Sequence, residues 1–375
     1  MSISVIGCSA STAPSLSQSP AYYNFLQPSF SDYLDASKRW LTRHRRYITD
    51  DHDKELAMNM PFEVSASQAK KGILLVHGLG DSPYSFSDIA PILAADGFDV
   101  QVLLLPGHGS DPKHMELPHY RDWQRIVDHY ANLLKQQYDE VWLGGFSTGG
   151  NLVTTHALEQ GNVDGLLLFS PGFQSDAPVL EKLIPLVSWF WDGFDREEVN
   201  LARYSSLTLN GAEQYAESAQ AVRDALASNT VSIPTLMVLS ADDSVVDVKR
   251  VMSLYTSRFT HPSNQLIWYG TSPEGELPES FHGYNMRLPA EHIATASHMS
   301  SLFSPSNPYY GKDGEFRFCH NGSDDEQMAQ CIAGEPVWYS AWGIKEEGKI
   351  FARLTWNPYF KQMSDSMMRV IHGEE

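Results

Sequence analysis

Val141-Trp142-Leu143-Gly144-Gly145-Phe146-Ser147-Thr148-Gly149-Gly150 is the stretch on which the reading of this chain turns. It begins as a short apolar run, passes through Gly145-Phe146-Ser147-Thr148-Gly149 and continues as a helical pattern to about residue 160. A G-x-S-x-G match alone is weak. With Gly near 7% of residues and Ser similar, three fixed positions recur by chance in 375 residues with a probability on the order of 0.1. The context adds the weight: a sharp strand-to-helix turn leaves no room for side chains around the serine and strains its backbone, which is the mechanical reason for Gly145 and Gly149. The N-terminus of the following helix favours negative charge developing at the serine.

Outward from this turn the chain alternates apolar runs with amphipathic stretches. Gly72-Ile73-Leu74-Leu75-Val76 precedes a helical pattern over 85–95, a run over 100–105, and a helix with Trp123, Ile126, Val127, Tyr130 and Leu134 on one face. Beyond the central stretch come Gly165-Leu166-Leu167-Leu168-Phe169, Thr235-Leu236-Met237-Val238-Leu239, a helix over 248–259 and Gln265-Leu266-Ile267-Trp268-Tyr269. Apolar runs without polar alternation suit strands covered on both faces, and their alternation with helices predicts an α/β fold with a mostly parallel sheet. Residues 172–231 separate two strands by more than one crossover needs, and carry Leu183, Ile184, Leu186, Val187, Trp189, Phe190, Trp191 and Phe194. They are expected to form a cap insertion, between a core first part over 21–171 and a second part over 232–375. An irregular, Gly-, Asn- and Ser-rich loop region is expected at about 305–350, and no internal repeat is found.

An acyl-transfer serine needs backbone donors for its oxyanion. His77-Gly78-Leu79-Gly80 ends the first buried strand, where parallel-sheet loops converge, so the Leu79 and Thr148 N–H groups are the candidate donors; His77 is expected to be a structural residue of the turn. An acid should emerge after the Thr235 run, in Ser240-Ala241-Asp242-Asp243-Ser244-Val245-Val246-Asp247. Asp243 is favoured there, with Asp242 as a turn or hydrogen-bonding residue and Asp247 as a helix N-cap. For the base, His282, His292, His298, His320 and His372 follow the last run. Position alone favours His282 without settling the choice.

Composition excludes several classes. The chain has 42% hydrophobic residues and no apolar run near the roughly 20 residues of a membrane helix. Its 27 Lys and Arg against 46 Asp and Glu give a net charge of −19, which disfavours nucleic acid as a partner. One basic cluster, Lys38, Arg39, Arg43, Arg45 and Arg46, sits opposite the apolar Tyr33, Leu34, Trp40 and Leu41 and is expected to be a solvated helix face. Residues 9–20 read as a flexible tether, so that 1–20 precede the fold. Within them Val5-Ile6-Gly7-Cys8-Ser9 is similar to a bacterial lipoprotein lipobox, which makes Cys8 a candidate for lipidation and a cell envelope the expected location, with the cytoplasm as the alternative. Cys319 and Cys331, twelve apart in a loop-like segment, suit a small disulfide-closed loop. No metal-ligand spacing occurs, and oligomeric state is not legible.

Taken together, Leu75-Val76-His77-Gly78-Leu79-Gly80-Asp81-Ser82, Leu105-Pro106-Gly107-His108-Gly109, Gly145-Phe146-Ser147-Thr148-Gly149-Gly150 and Asp243-Ser244-Val245-Val246 resemble the α/β-hydrolase superfamily, specifically its carboxylesterase and monoacylglycerol-lipase-like branch. The resemblance covers about residues 71–300. It implies a Ser-Asp-His triad in that chain order, an oxyanion hole from the two amides named above, a cap after the sixth strand, and no cofactor. Ala296-Ser297-His298-Met299-Ser300, followed by Ser304-Pro305 and Asn307-Pro308-Tyr309-Tyr310-Gly311, resembles the catalytic-His region of bacterial members, which implies Ser147, Asp243 and His298 as the triad. The activity implied is hydrolysis of small-molecule carboxylic esters that contain an acyl chain. A thioesterase and a catalytically silent binding protein are the alternatives, and the serine argues against epoxide hydrolase or dehalogenase chemistry, which in this fold uses Asp at the elbow.

Overall fold

The apolar runs assemble edge to edge. The computed structural model describes residues 15–176, 193–194 and 196–374. Its strands are β1 (Phe62–Val64), β2 (Lys71–Val76), β3 (Phe98–Leu103), β4 (Glu140–Phe146), β5 (Gly165–Phe169), β6 (Gly193–Phe194), β7 (Leu207–Thr208), β8 (Thr235–Ser240), β9 (Gln265–Tyr269), β10 (Phe281–Tyr284), β11 (Trp338–Ser340) and β12 (Phe351–Arg353). The helices are α1 (Phe30–His44), α2 (His52–Asn59), α3 (Ile89–Ala95), α4 (Tyr120–Gln137), α5 (Thr148–Gln160), α6 (Leu209–Ser228), α7 (Val248–Arg258), α8 (Asp325–Ile332) and α9 (Phe360–His372). Eight strands form one sheet in the order β1-β3-β2-β4-β5-β8-β9-β10, parallel throughout except for β1 at the edge.

Side chains of the central strands alternate between two apolar layers, as a sheet covered on both faces requires. Leu74, Val76, Leu143, Leu168 and Met237 meet Trp123, Ile126, Tyr130 and Leu134 of α4, while Ile73, Leu75, Leu167, Val238 and Ile267 meet α3 and Met363, Met367 and Val370 of α9. The expected α4 face is thus the buried one.

Four expectations change. The tether does not extend to residue 20: Leu16–Gln18 form a helical turn with Leu16 buried, because Asp122 at the start of α4 accepts from the Leu16 N–H at 3.0 Å and from the Ser15 hydroxyl at 3.1 Å. The remainder of the proposed tether, with Cys8, lies outside the described residues. Arg45 leaves the otherwise exposed basic face and turns inward to the fully buried Glu55, 2.9 Å away, while also donating to the Gly109 carbonyl at 2.8 Å. The 172–231 segment is not all insertion. Its last part is α6, the crossover between β5 and β8, tied to α5 by an Asn151 Nδ2 to Ser218 Oγ bond of 3.1 Å. The segment follows the fifth strand among the described residues rather than the sixth, and Leu183, Ile184, Leu186, Val187, Trp189, Phe190 and Trp191 lie outside those residues. Finally, the 305–350 region includes α8 and a short parallel pairing of β11 with β12, and Cys319 is bonded to Cys331 there.

Candidate active site

Strand β4 delivers Ser147 to the carboxyl edge of the sheet, and α5 starts at the next residue. Ser147 holds φ 52° and ψ −114°, a left-handed backbone that costs a non-glycine residue on the order of 1–3 kcal/mol. Packing enforces it. A Cβ on Gly149 would stand 1.9 Å from the Val76 carbonyl oxygen, and one on Gly145 would stand 2.4 Å from the Gly149 carbonyl, so β2, β4 and α5 approach at backbone contact distance. The Ser147 N–H donates to the Phe169 carbonyl at 3.1 Å and its own carbonyl accepts from Gly172 at 3.0 Å, which locks the turn against β5 and the segment that follows.

The turn after β2 lies alongside. His77 is fully buried, with Nδ1 on the Gly78 carbonyl at 2.8 Å and Nε2 accepting the Leu105 N–H at 3.0 Å; burial and the adjacent His108 push its pKa well below the ordinary range. Both ring nitrogens are engaged, which is the structural role expected. His108 performs a parallel task that the sequence reading did not assign: its Nε2 accepts the Gly80 N–H at 3.0 Å, and burial lowers its pKa to about 4. With Asp81 N–H donated to the Gly78 carbonyl, the Leu79 N–H has no acceptor among the described residues, and Thr148, first in α5, has none within its helix. Gly78 separates the two turns closely, for its Cβ would lie 3.1 Å from Ser147 Cβ and 2.8 Å from Asp81 Oδ2. Asp81 is buried, which raises its pKa, while Arg203, 3.5 Å away, and His298 act in the opposite direction.

Asp243 follows β8. Its Oδ1 accepts the N–H groups of Val245 at 2.8 Å and Val246 at 3.1 Å, and its Oδ2 accepts from His298 Nδ1 at 2.6 Å. Both residues are buried, and the His298 ring packs on Phe146, the residue before Ser147, with centroids 4.9 Å apart. Asp247 caps α7 as expected, accepting from Arg250 N–H at 2.9 Å, and burial raises the pKa of Asp242 nearby. The other histidines sit elsewhere. His282 lies within β10 paired to Ile267 of β9, His292 stacks on Trp338, His320 stacks on Trp342, and His372 contacts Asp96 at 2.9 Å. Strand β10 also accounts for the long interval before His298, because part of 271–297 is sheet.

Two serines hold the His298 segment from the strand ends. Ser170 Oγ donates to the His298 carbonyl at 3.1 Å and Ser240 Oγ to the Ser297 carbonyl at 2.9 Å. These positioning contacts span 128 and 57 residues, so no local pattern announces them. Among the described residues no group of three His, Cys, Asp or Glu side chains is arranged to hold a metal, and no helix is long and apolar enough to cross a membrane.

A mostly parallel sheet with helices on both faces, turning at a strained serine into the helix behind it, is the α/β-hydrolase fold. Parts of the chain are similar to known proteins. Residues 67–197 match the family described as "Serine aminopeptidase, S33". Over 102 residues the chain is 31% identical to the thermostable monoacylglycerol lipase of Bacillus sp. (strain H-257), a match covering 27% of this chain and 41% of that protein. The chain therefore spans less than half the length of that relative in the match. Among solved structures it is similar to one from work on LipS and LipT, two metagenome-derived lipolytic enzymes, with 21% identity, 55% of this chain and 86% of that chain covered, and a TM-score of 0.47. The monoacylglycerol lipase of Paleococcus ferrophilus is similar at 15% identity, with 56% and 88% covered and a TM-score of 0.46.

Proposed function

We propose that the protein is a serine carboxylic-ester hydrolase acting through Ser147, His298 and Asp243. The observation that carries this reading is the 2.6 Å bond between His298 Nδ1 and Asp243 Oδ2, on the same sheet edge as the strained Ser147. The bond directs the Nδ1 proton to the carboxylate and leaves Nε2 free to act as a base. His298 takes the Ser147 proton as the hydroxyl attacks the ester carbonyl, and Asp243 stabilises the imidazolium that forms. The Leu79 and Thr148 amides receive the oxyanion, and the imidazolium returns its proton to the leaving alkoxide. Water then repeats the cycle on the acyl-enzyme, releasing the acid and restoring Ser147.

The preference for an acyl chain rests on the apolar sequence of residues 183–194 and on the likeness to a monoacylglycerol lipase. A chain-length series of 4-nitrophenyl esters tests both parts. Turnover is expected to rise with acyl length and to vanish in Ser147→Ala, whereas undiminished turnover in that variant would remove the assignment.

A further inference from the structure

Arg353 is the one charged residue of β12, and it lies next to the candidate site through its chain neighbours. The Leu354 carbonyl accepts the Ser297 hydroxyl at 2.5 Å, and Ser297 directly precedes His298. The Arg353 guanidinium lies over the rings of Phe318 and Trp342, with centroids 4.7 and 4.9 Å away. Its Nε–H donates to Asn321 Oδ1 at 3.2 Å and Nη2 donates to the His320 carbonyl at 3.3 Å. Arginine carries five N–H donors; among the described residues only these two find an acceptor and no carboxylate forms an ion pair with it. Burial, with Arg203 and Arg196 nearby, lowers its pKa to about 9 against the opposing pull of Asp243. A partly buried cation whose direct hydrogen-bond partners, the Asn321 amide oxygen and the His320 carbonyl, are both uncharged is costly unless an anion joins it.

Room for an anion is present. Arg353 borders a cavity of about 270 Å³ also lined by Lys312, Asp313, Phe316, Arg317 and Tyr339. Three cations face one carboxylate there, although the chain as a whole carries −19. Lys312 is occupied by Glu291 at 2.5 Å, whereas Arg317 donates to the uncharged Glu335 carbonyl at 3.0 Å, so the surplus lies on Arg317 and Arg353. We propose that this cavity is an anion-binding site for a carboxylate or phosphate group on a small molecule. The free edge of Arg353 holds two oxygens side by side, Arg317 supplies the second positive charge, and the rings of Phe316 and Tyr339 contact the apolar part of the ligand.

The test is thermal unfolding of the full chain at low ionic strength with glutarate, inorganic phosphate, or the neutral glutaramide. Glutarate or phosphate is expected to raise the Tm and glutaramide to leave it unchanged. The apparent Kd should weaken roughly tenfold or more in Arg353→Gln and less in Arg353→Lys. Each variant is compared with itself unliganded, and Arg317→Gln provides a second reading away from the sheet, expected to weaken binding severalfold. Absence of any anion-induced shift in the wild type, or an equal shift in Arg353→Gln, would overturn the site. Turnover then identifies the source of the anion. Competition by glutarate, with 4-nitrophenyl monoglutarate preferred over 4-nitrophenyl butyrate, assigns it to the substrate; binding without effect on turnover assigns it to a separate ligand. Because binding is read without catalysis, failure of the esterase reading is distinguishable from failure of the anion site.

Discussion

The two halves of the candidate site are built by different means. Ser147 is set by backbone contact within one strand-turn-helix unit, where Gly145 and Gly149 let β2, β4 and α5 approach more closely than any side chain permits. His298 sits in an irregular segment held by side-chain hydrogen bonds from Asp243, Ser170 and Ser240 and, through Ser297, by the Leu354 carbonyl. The first half stores strain in a rigid scaffold and the second distributes its precision over several weak bonds. A single added methyl group should therefore break the elbow, whereas loss of one hydroxyl should only loosen the His298 segment.

The largest expected effect separates His298 from its rival. His298→Ala should lower ester turnover by on the order of 10⁴-fold while His282→Ala changes it little. The reverse order, read from kcat of the two purified variants, would move the base to β10. Next, Gly149→Ala should cost roughly 4 kcal/mol or more, or prevent folding, because the new Cβ meets the Val76 carbonyl. A urea midpoint near that of the wild type would refute the close-contact account of the elbow.

Acid should weaken the turn after β2, where His77 and His108 are buried. The native state holds His108 near 4 against an ordinary value of 6.5, so the unfolded chain binds the extra proton. That contribution is complete above about pH 6.5 and declines as pH falls toward 4, by about 3 kcal/mol in all, and the depressed His77 acts in the same direction. Urea midpoints measured from pH 7 to pH 4 should fall accordingly, and His108→Gln should flatten the slope; parallel profiles for the two proteins would exclude His108 as the source. Smallest of all, Ser240→Ala should reduce stability by about 1 kcal/mol and turnover by roughly tenfold with KM nearly constant. A loss as large as that of His298→Ala would mean that the segment collapses rather than loosens.

What the sequence disclosed follows the same division. The elbow, the parallel strands and the α4 face are local patterns of apolar period and glycine placement, and they read directly. The turn that carries Asp243 is legible because it follows an apolar run that forms β8. Position does not choose between His282 and His298, since β10 is short and partly polar and carries no apolar run that would mark it as a strand. His108, Ser170, Ser240 and Arg353 act on partners 28 to 128 residues away or through a cavity, and nothing in their immediate neighbours signals it. Residues 15–20 misled for the converse reason: a polar, Pro-containing segment is ordered by a distant acceptor, Asp122.

The central claim is that Ser147 is activated by His298 at this sheet edge. Fluorophosphonate labelling of the purified protein with peptide mass mapping, run beside Ser147→Ala and His298→Ala, addresses it most directly. Adduct on the Ser147 peptide that disappears in Ser147→Ala and falls sharply in His298→Ala is the predicted result. A folded wild-type protein that takes no label, or one labelled as strongly without His298, would contradict it.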